Sequence, residues 1–206
     1  MSTVSIIGAG GMAAAIAGRA AAVGHTVEVI SRDPAKAEAL AEQHTGATTG
    51  TYGNAPAGEI VVLAVPHAGG VPTVEQFGEA LAGKVVVDIS NTFAGAEDTT
   101  LVTPEGTSAA QQIAAALPAS AHVVKAFNTV FGHVLARGGR LDVFVAGDDA
   151  AAKASLAAFV ESLGLRPLDV GGLAMAHWLE GTGLLLMGLA RSGAGFDIAL
   201  GVEPRG

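Results

Sequence analysis

Short, almost continuous apolar runs recur along the chain and are separated by longer stretches rich in small residues. Residues 60–65 read Ile-Val-Val-Leu-Ala-Val, and residues 84–89 carry three consecutive valines. Runs without alternating polar positions are typical of strands that are buried on both faces of a sheet. Strands are predicted at residues 4–7, 27–30, 46–49, 60–65, 84–89, 122–126, 141–146 and 166–169. Helices are predicted up to residue 23 and at 34–44, 108–117, 150–163 and 173–191.

The alternation of buried strands with helices predicts an α/β fold, in which helices cover both faces of a doubly wound, mostly parallel sheet. No linker, repeat or low-complexity block interrupts the 206 residues, so one domain over 1–206 is expected, with 171–206 as a short C-terminal helical extension. The apolar stretch 173–190 contains His177 and Glu180, and these polar residues favour a buried helix over a membrane span.

A glycine-rich turn follows the first strand. Residues 8–13 read Gly-Ala-Gly-Gly-Met-Ala, which fits the pattern G-x-G-x-x-A. Gly8 permits a tight turn, Gly10 lets a pyrophosphate approach the backbone, and small Ala13 lets the helix pack closely on the strand. The free amides and dipole at the N-terminus of that helix attract phosphate. The strand, turn, helix and second strand together predict a Rossmann-like dinucleotide site.

The end of the second strand selects the dinucleotide. An NAD site usually has a carboxylate at this point, which binds the ribose 2′-hydroxyl. Here the strand is followed by Ser31 and Arg32, with Lys36 one helical turn further on. A hydroxyl, a guanidinium and an ammonium bind a 2′-phosphate, so NADP(H) is expected. The alternative is that Arg32 and Lys36 are solvated charges that pair with Asp33 or Glu38. Asp33 also precedes Pro34 as a helix N-cap.

Further candidate residues follow the other strands, since ligands of open α/β sheets lie at the carboxyl ends of the strands. Ala64, Val65, Pro66 and His67 follow the fourth strand, Ser90 and Asn91 the fifth, and Lys125, Ala126 and Asn128 the sixth. His67 is either an acid/base, a residue over the ribose, or an exposed loop histidine. Asn91 and Asn128 either bind the ribose or carboxamide or stabilise turns by Asx bonds. Lys125 is either a catalytic group or a solvated lysine.

Composition excludes several classes of partner. The net charge is −8 and no cluster of Lys and Arg is present, which disfavours nucleic acid and anionic membranes. The chain has no cysteine, and its six histidines lack metal-ligand spacing, so no metal site is expected. The first strand begins within a few residues of Met1, which leaves no room for a signal peptide, so a cytoplasmic protein is expected. Glu180 in the apolar last helix is expected to face solvent or a neighbouring subunit.

Several segments in order resemble one known family. They are the glycine turn, Ser31-Arg32, Val65-Pro66, residues 124–129 (Val-Lys-Ala-Phe-Asn-Thr), residues 145–149 (Val-Ala-Gly-Asp-Asp) and, most specifically, residues 165–169 (Leu-Arg-Pro-Leu-Asp). Together they resemble the NADPH-dependent reductases of the deazaflavin coenzyme F420, over nearly the whole chain. The cytosolic oxidoreductase domain of the mammalian metal-reducing membrane proteins belongs to the same broader group.

The resemblance implies an oxidoreductase that binds NADP(H) and transfers hydride to a flat tricyclic acceptor, either F420 or the flavins FMN and FAD. It places Ser31, Arg32 and Lys36 at the 2′-phosphate, and Gly10, Gly11 and Met12 at the pyrophosphate. It also implies a homodimer formed through residues 173–200. The turn after the sixth strand, Phe127-Asn128-Thr129-Val130, is closer to the flavin-linked relatives.

Two other functions stay open at the level of sequence. One is a reductase of a small imine or carbonyl compound, which needs a proton donor, with Lys125 or His67 as the candidates. The other is a sensor that binds NADPH without catalysis, since a fold alone does not establish an activity.

Overall fold

A single sheet forms the centre of the molecule. The computed structural model describes residues 2–93, 100–203 and 205. In these residues the sheet has eight strands in the order β3-β2-β1-β4-β5-β6-β7-β8. The strands are β1 Thr3–Ile7, β2 Thr26–Ile30, β3 Thr48–Gly50, β4 Ile60–Leu63, β5 Val85–Asp88, β6 His122–Lys125, β7 Asp142–Gly147 and β8 Arg166–Gly171. The helices are α1 Gly11–Ala22, α2 Pro34–Ala41, α3 His67–Phe77, α4 Ala109–Ala116, α5 Gly132–Ala136, α6 Ala150–Ser162 and α7 Ala176–Leu189.

The strand order reverses between β1 and β4. From β1 the chain continues outward through β2 and β3, and it then returns to place β4 on the other side of β1. This arrangement confirms the doubly wound Rossmann-like fold, and it makes the carboxyl ends of β1 and β4 the place where a ligand binds in such sheets.

One strand pair departs from the parallel arrangement. β6 and β7 are antiparallel, whereas the pair β7 and β8 is again parallel. The segment between β6 and β7 contains only the five-residue helix α5. A chain that does not cross the sheet with a long helix enters the next strand in the opposite direction. The sheet is therefore mostly parallel, as expected.

Two apolar clusters cover the two faces of the sheet. One contains the alanines of α1, such as Ala13 and Ala17, together with Leu156 and Phe159 of α6. The other contains side chains of α3, α4 and the start of α7, for example Ile113. Ala13, Ala17 and Ala20 of α1 are fully buried, which lets this helix approach the strands closely and places its N-terminus beside the end of β1.

Helices α3 and α5 were missed at the level of sequence. Helix α3 contains Gly69, Gly70 and Pro72, which are helix breakers by intrinsic propensity. Packing explains the glycine at 70, because a Cβ there would lie 2.9 Å from Ile113 Cδ1 of α4. Tertiary contact therefore overrides propensity in α3.

The C-terminal extension is helical only in its first part. Helix α7 continues through a π-helical turn to Ala194, and the tail then runs back to β7, where the Val202 amide donates to Asp142 (2.7 Å). The stretch Leu173–Ala194 is long and apolar enough to cross a membrane by length and composition, with a mean hydropathy of 1.2, and 39% of it is buried. A core helix of a soluble protein passes the same test. Residues 204 and 206 of the predicted extension lie outside the described residues.

Candidate functional site

The end of β1 touches the end of β4 at Gly8. Gly8 has a φ of 129°, and a Cβ built there would lie 2.1 Å from the carbonyl oxygen of Ala64. Its amide donates to the Ile30 carbonyl of β2 (2.8 Å). Only glycine permits both this backbone conformation and this approach. Gly8 therefore shapes the turn, as expected from the sequence.

The N-terminus of α1 opens onto free space. Gly10 is the N-cap residue of α1. Because it has no side chain, it accepts no hydrogen bond from the first amides of the helix. A Cβ on Gly10 or Gly11 would meet no atom of the described residues within 4 Å. The space in front of these amides is therefore a cradle that side chains would fill, and its size and dipole suit a phosphate. Met12 lies beside this cradle against Gly132, where an added Cβ would be 3.2 Å from the Met12 sulfur.

The basic residues after β2 border the same crevice. A cavity of about 290 Å³ is lined by the following residues: Ile7, Gly8, Ala9, Gly10, Ser31, Arg32, Lys36, Tyr52, Ala64, Val65 and Pro66. The structure thus brings together eight of the candidate residues from three separate segments: Gly8, Gly10, Ser31, Arg32, Lys36, Ala64, Val65 and Pro66. Arg32 and Lys36 are exposed, while Ser31 is half-buried. Positive charge and the phosphate cradle therefore share one space.

Local pairing leaves this charge available. Lys36 Nζ lies 3.8 Å from Asp33, and both side chains are more than half exposed, so the pair is weak. Asp33 is the N-cap of α2 in position, but its side chain makes no capping bond. The carboxylate of β2, Glu28, is buried and accepts from Ser5 and from the Ala57 amide (2.8 Å), away from the strand end. No carboxylate of the described residues therefore stands where an NAD ribose would need one.

Tyr52 is a cavity residue that the sequence did not reveal. It lies in the segment 52–58, which was expected to be mostly loop. Its hydroxyl donates to Thr73 (3.2 Å), and its ring packs edge-on against Phe77 with centroids 5.2 Å apart. Helix α3 therefore holds an aromatic ring beside Ser31 and Arg32. The sequence did not reveal Tyr52 because its contacts are made with α3, a helix that was not predicted.

His67 is the first residue of α3 and is half-buried, so the interpretation as an exposed loop histidine is wrong. It follows Pro66, which lines the cavity, but the cavity lining stops short of it. A role of His67 in acid/base chemistry stays a prediction.

The loops after β5 and β6 are joined by two asparagines. Asn91 Nδ2 donates to the Asn128 carbonyl (2.9 Å), and Asn128 Nδ2 donates to Asn91 Oδ1 (2.9 Å) and to the Leu179 carbonyl of α7 (2.7 Å). These are bonds between loops rather than the Asx turns considered above. Asn128 Oδ1 is buried and has no hydrogen-bond partner among the described residues. Gly183 of α7 packs on the pair, since a Cβ there would lie 2.3 Å from Asn91 Oδ1.

Lys125 is fully buried, so the interpretation as a solvated lysine is wrong. Its ammonium donates to Asp88 Oδ2 (2.7 Å), Glu180 Oε1 (2.9 Å) and the Ser90 carbonyl (2.7 Å). All three hydrogens of the ammonium are thereby used, which leaves none to give to a substrate. Ala126, the next residue, is also buried and donates its amide to the Asp88 carbonyl (3.1 Å).

Glu180 lies on the buried face of α7, and the expectation that it faces solvent or a neighbouring subunit is wrong for this chain. Besides Lys125, it accepts from the Thr92 hydroxyl (2.9 Å) and from the Ala109 amide at the N-terminus of α4 (3.0 Å). Its partners come from three segments far away in sequence. No local pattern around Glu180 could therefore have revealed them.

The turn after β6 carries backbone strain. Phe127 is fully buried and has a φ of 60°, and it is the one non-glycine residue with positive φ among the described residues. Such a conformation costs energy for a bulky side chain, and it persists only where its surroundings enforce it. Here it turns the chain between Lys125 in the core and Asn128 at the loop. In the described part of the chain, no group of three metal-ligating side chains is present.

Known proteins share this arrangement. Residues 3–92 match the family model described as NADP oxidoreductase, coenzyme F420-dependent. The chain is 31% identical to the rat Metalloreductase STEAP3 over 89% of its own length and 37% of that protein. It is 32% identical to the F420-dependent NADP reductase of Methanocaldococcus jannaschii over 64% of its length and 62% of that protein. The chain thus spans little more than a third of the length of the rat protein and less than two thirds of the length of the Methanocaldococcus protein.

A solved structure matches over nearly its whole length. This is a proposed F420-dependent NADP reductase of Arthrobacter sp. FB24, which superposes with a TM-score of 0.82 at 30% identity and covers 93% of this chain and 95% of that one. The residues that match the family model, 3–92, include β1, α1 and the ends of β2 and β4 that line the crevice. The chain therefore belongs to the family of NADP oxidoreductases described as coenzyme F420-dependent.

Proposed function

We propose that the protein binds NADPH in the crevice between β1 and β4 and transfers hydride from it to a flat tricyclic ring, a deazaflavin or a flavin. The observation that carries the proposal is the cavity in which the open N-terminus of α1 meets Ser31, Arg32 and Lys36. A dinucleotide with a 2′-phosphate offers one anion to each of these features. The empty space over Gly10 and Gly11 fits the pyrophosphate.

Each part of the crevice then has a distinct task. The amides of α1 hold the pyrophosphate, and Arg32 with Lys36 binds the 2′-phosphate beside Ser31. Tyr52 gives the adenosine side an apolar wall whose orientation is fixed by Thr73 and Phe77. The nicotinamide extends toward the loops after β5 and β6, which Asn91 and Asn128 hold together. Bound NADPH supplies a hydride from C4 of its nicotinamide ring.

The buried state of Lys125 favours a ring-to-ring transfer. Reduction of a small imine or carbonyl compound needs a donor that protonates the product, whereas hydride transfer between stacked rings depends mainly on proximity and alignment. The three hydrogens of Lys125 are occupied, so it positions the loops instead of donating a proton. The tricyclic acceptor takes up the hydride together with a proton from solvent. The names of two relatives pair a deazaflavin, F420, with NADP, and the turn after β6 motivates the flavin alternative.

Dimerisation through the C-terminal segment is part of the proposal. Trp178 and Leu185 on α7 are 65% and 61% exposed, and Phe196 beyond the helix is 48% exposed. A partner that covered these side chains would bury a continuous apolar face. Light scattering of the purified protein should give twice the mass of one chain, and L185E should shift the mass toward one chain. A single-chain mass for the unchanged protein would contradict the dimer.

The test of the activity is NADPH absorbance in the presence of F420, FMN, FAD or a cyclic imine, each offered separately. Oxidation of NADPH by F420 or a flavin, with little oxidation by the imine, is the expected result. Oxidation by the imine alone, lost in H67A, would support a small-molecule reductase instead. Tight binding of NADPH without oxidation by any acceptor would contradict a hydride transfer to these classes and favour a sensor.

A further inference from the structure

The buried cluster formed by Asp88, Lys125 and Glu180 contains two carboxylates but one ammonium. Asp88 and Glu180 face one ammonium, that of Lys125, and all three side chains are at most 1% exposed. Among the described residues, the other hydrogen bonds to the two carboxylates come from N–H and O–H groups: the Ser90 amide donates to Asp88, and the Thr92 hydroxyl and the Ala109 amide donate to Glu180. These bonds satisfy two carboxylates and one ammonium, which leaves the cluster with one net negative charge.

The cluster lies directly behind the loops that face the nicotinamide side of the crevice. Lys125 binds the carbonyl of Ser90, the residue before Asn91. On α7, the carbonyl of Leu179, the residue before Glu180, receives the amide of Asn128. The asparagine pair and the charged cluster are therefore adjacent layers that share β5, β6 and α7.

A buried charge at this place discriminates between the two redox forms of the cofactor. The nicotinamide ring of NADP+ carries a positive charge, while that of NADPH is neutral. Attraction between this negative charge and the ring is only weakly screened, because the three side chains that carry the charge are buried. The phosphates and the adenosine are the same in both forms and contribute equally to their binding.

We infer that the negative charge of the Asp88–Lys125–Glu180 cluster makes the protein bind NADP+ more tightly than NADPH. Bound NADPH is thereby a stronger hydride donor than free NADPH. The inference rests on the proposed function, since it needs the nicotinamide at the ends of β5 and β6. Asp88 and Glu180 are positioning and electrostatic residues in this scheme, because they touch the loops and not the ring.

The test is the ratio of two dissociation constants, Kd(NADP+)/Kd(NADPH), measured by titration calorimetry of the whole chain. In the unchanged protein we expect a ratio below one. Glu180→Gln and Asp88→Asn each remove the net negative charge while keeping side-chain size, and each should raise the ratio about fivefold or more, the scale of one charge acting across a protein interior. Thr92→Val removes a bond to Glu180 without changing charge, and it should leave the ratio within twofold. Glu161→Gln on the exposed face of α6 is the surface control.

The outcomes separate the inference from the proposed function. A ratio above one in the unchanged protein would overturn the inference even if no variant folded. Equal weakening of both cofactors in Glu180→Gln, or the same change of ratio in Thr92→Val, would show a purely structural role and also overturn it. Absence of binding of both NADP+ and NADPH to the unchanged, folded protein would instead overturn the proposed function itself.

Discussion

The two halves of the crevice are built from different materials. The phosphate half consists of backbone and exposed side chains within about the first third of the chain: the glycine turn, the N-terminus of α1, and Arg32 with Lys36. The nicotinamide half depends on a buried network in which Lys125 joins Asp88 to Glu180, 55 residues further along the chain. Residues close together in sequence form the phosphate half, which is open to solvent. Residues far apart in sequence form the nicotinamide half, which is supported from the core.

Substitutions in the two halves should therefore affect different properties of the protein. Exposed charges near a ligand contribute to binding and little to folding, because water solvates them in the free protein. A buried ammonium with two carboxylates contributes to folding as a unit, since removing the ammonium leaves both carboxylates desolvated and unpaired. Substitutions in the phosphate half should therefore change affinity, while substitutions in the nicotinamide half should first change stability.

The largest effect is expected for K125M. Removing the ammonium leaves Asp88 and Glu180 buried without their counter-ion, and this should lower the free energy of unfolding by about 3–5 kcal/mol. Urea unfolding followed by circular dichroism measures the change. The matched control is K153M, because Lys153 pairs with a carboxylate, Asp169, that is 58% exposed, and it should cost about 1 kcal/mol or less. Equal losses in the two variants would contradict the importance of the buried cluster.

The glycine turn gives the next largest effect, on binding. A Cβ at Gly10 meets no atom of the described residues within 4 Å, and a valine there would fill the cradle in front of α1. G10V should therefore keep its melting temperature and weaken the binding of both NADPH and NADH by roughly a hundredfold or more. Isothermal titration measures the affinities. G8V is the contrasting variant, and it should fail to fold stably, because the added Cβ would collide with the Ala64 carbonyl at a positive φ. Retained binding in G10V would show that the cradle holds no phosphate.

A smaller effect is expected for R32A, which should weaken NADPH by about 1–3 kcal/mol while NADH changes little, since only NADPH carries the 2′-phosphate. Parallel titrations with both cofactors measure the difference. R137A is the matched control, because Arg137 is an equally exposed arginine that pairs with Asp197 away from the crevice. Equal losses of affinity for NADPH and NADH in R32A would refute the 2′-phosphate role.

The smallest effect concerns the pair formed by Asp142 and Arg166, the first residues of the neighbouring parallel strands β7 and β8. The hydrogen bond from Arg166 lowers the pKa of Asp142 below its ordinary value. A carboxyl whose pKa is lower in the folded state stabilises the protein above its unfolded pKa, about 3.9, and this contribution is lost as the pH falls through the folded pKa. D142N should therefore reduce stability near neutral pH and flatten its decline below about pH 4. Unfolding curves at several acidic pH values measure this, and an unchanged acid decline would contradict the assignment.

Sequence reasoning succeeded where the relevant contacts are local. The apolar runs predict the strands because burial on both faces excludes polar residues, and the glycine turn predicts the cradle because strand, turn and helix are consecutive. Ser31, Arg32 and Lys36 follow the same unit, and the structure places them at one cavity with Gly8 and Gly10.

Sequence reasoning failed where a residue depends on distant partners. Lys125 is ordinary in sequence, and only the pairing of β5 with β6 brings Asp88 beside it. Glu180 is buried because α7 packs against α4 and brings its carboxylate to Lys125 of β6. Tyr52 is ordered by Thr73 and Phe77 of α3, a helix whose glycines and proline hide it from propensity. Tertiary packing decided each of these three cases.

The most direct test of the account is a single turnover with NADPH that carries deuterium in the transferable C4 position, with F420 as the acceptor. A deazaflavin accepts hydride on carbon, so a transferred label stays on the product. The account predicts that NADPH is oxidised as F420 is reduced, and that deuterium is recovered on the reduced deazaflavin. Bound NADPH that remains unoxidised, or reduced F420 that carries no deuterium from either C4 position, would contradict direct hydride transfer to a deazaflavin.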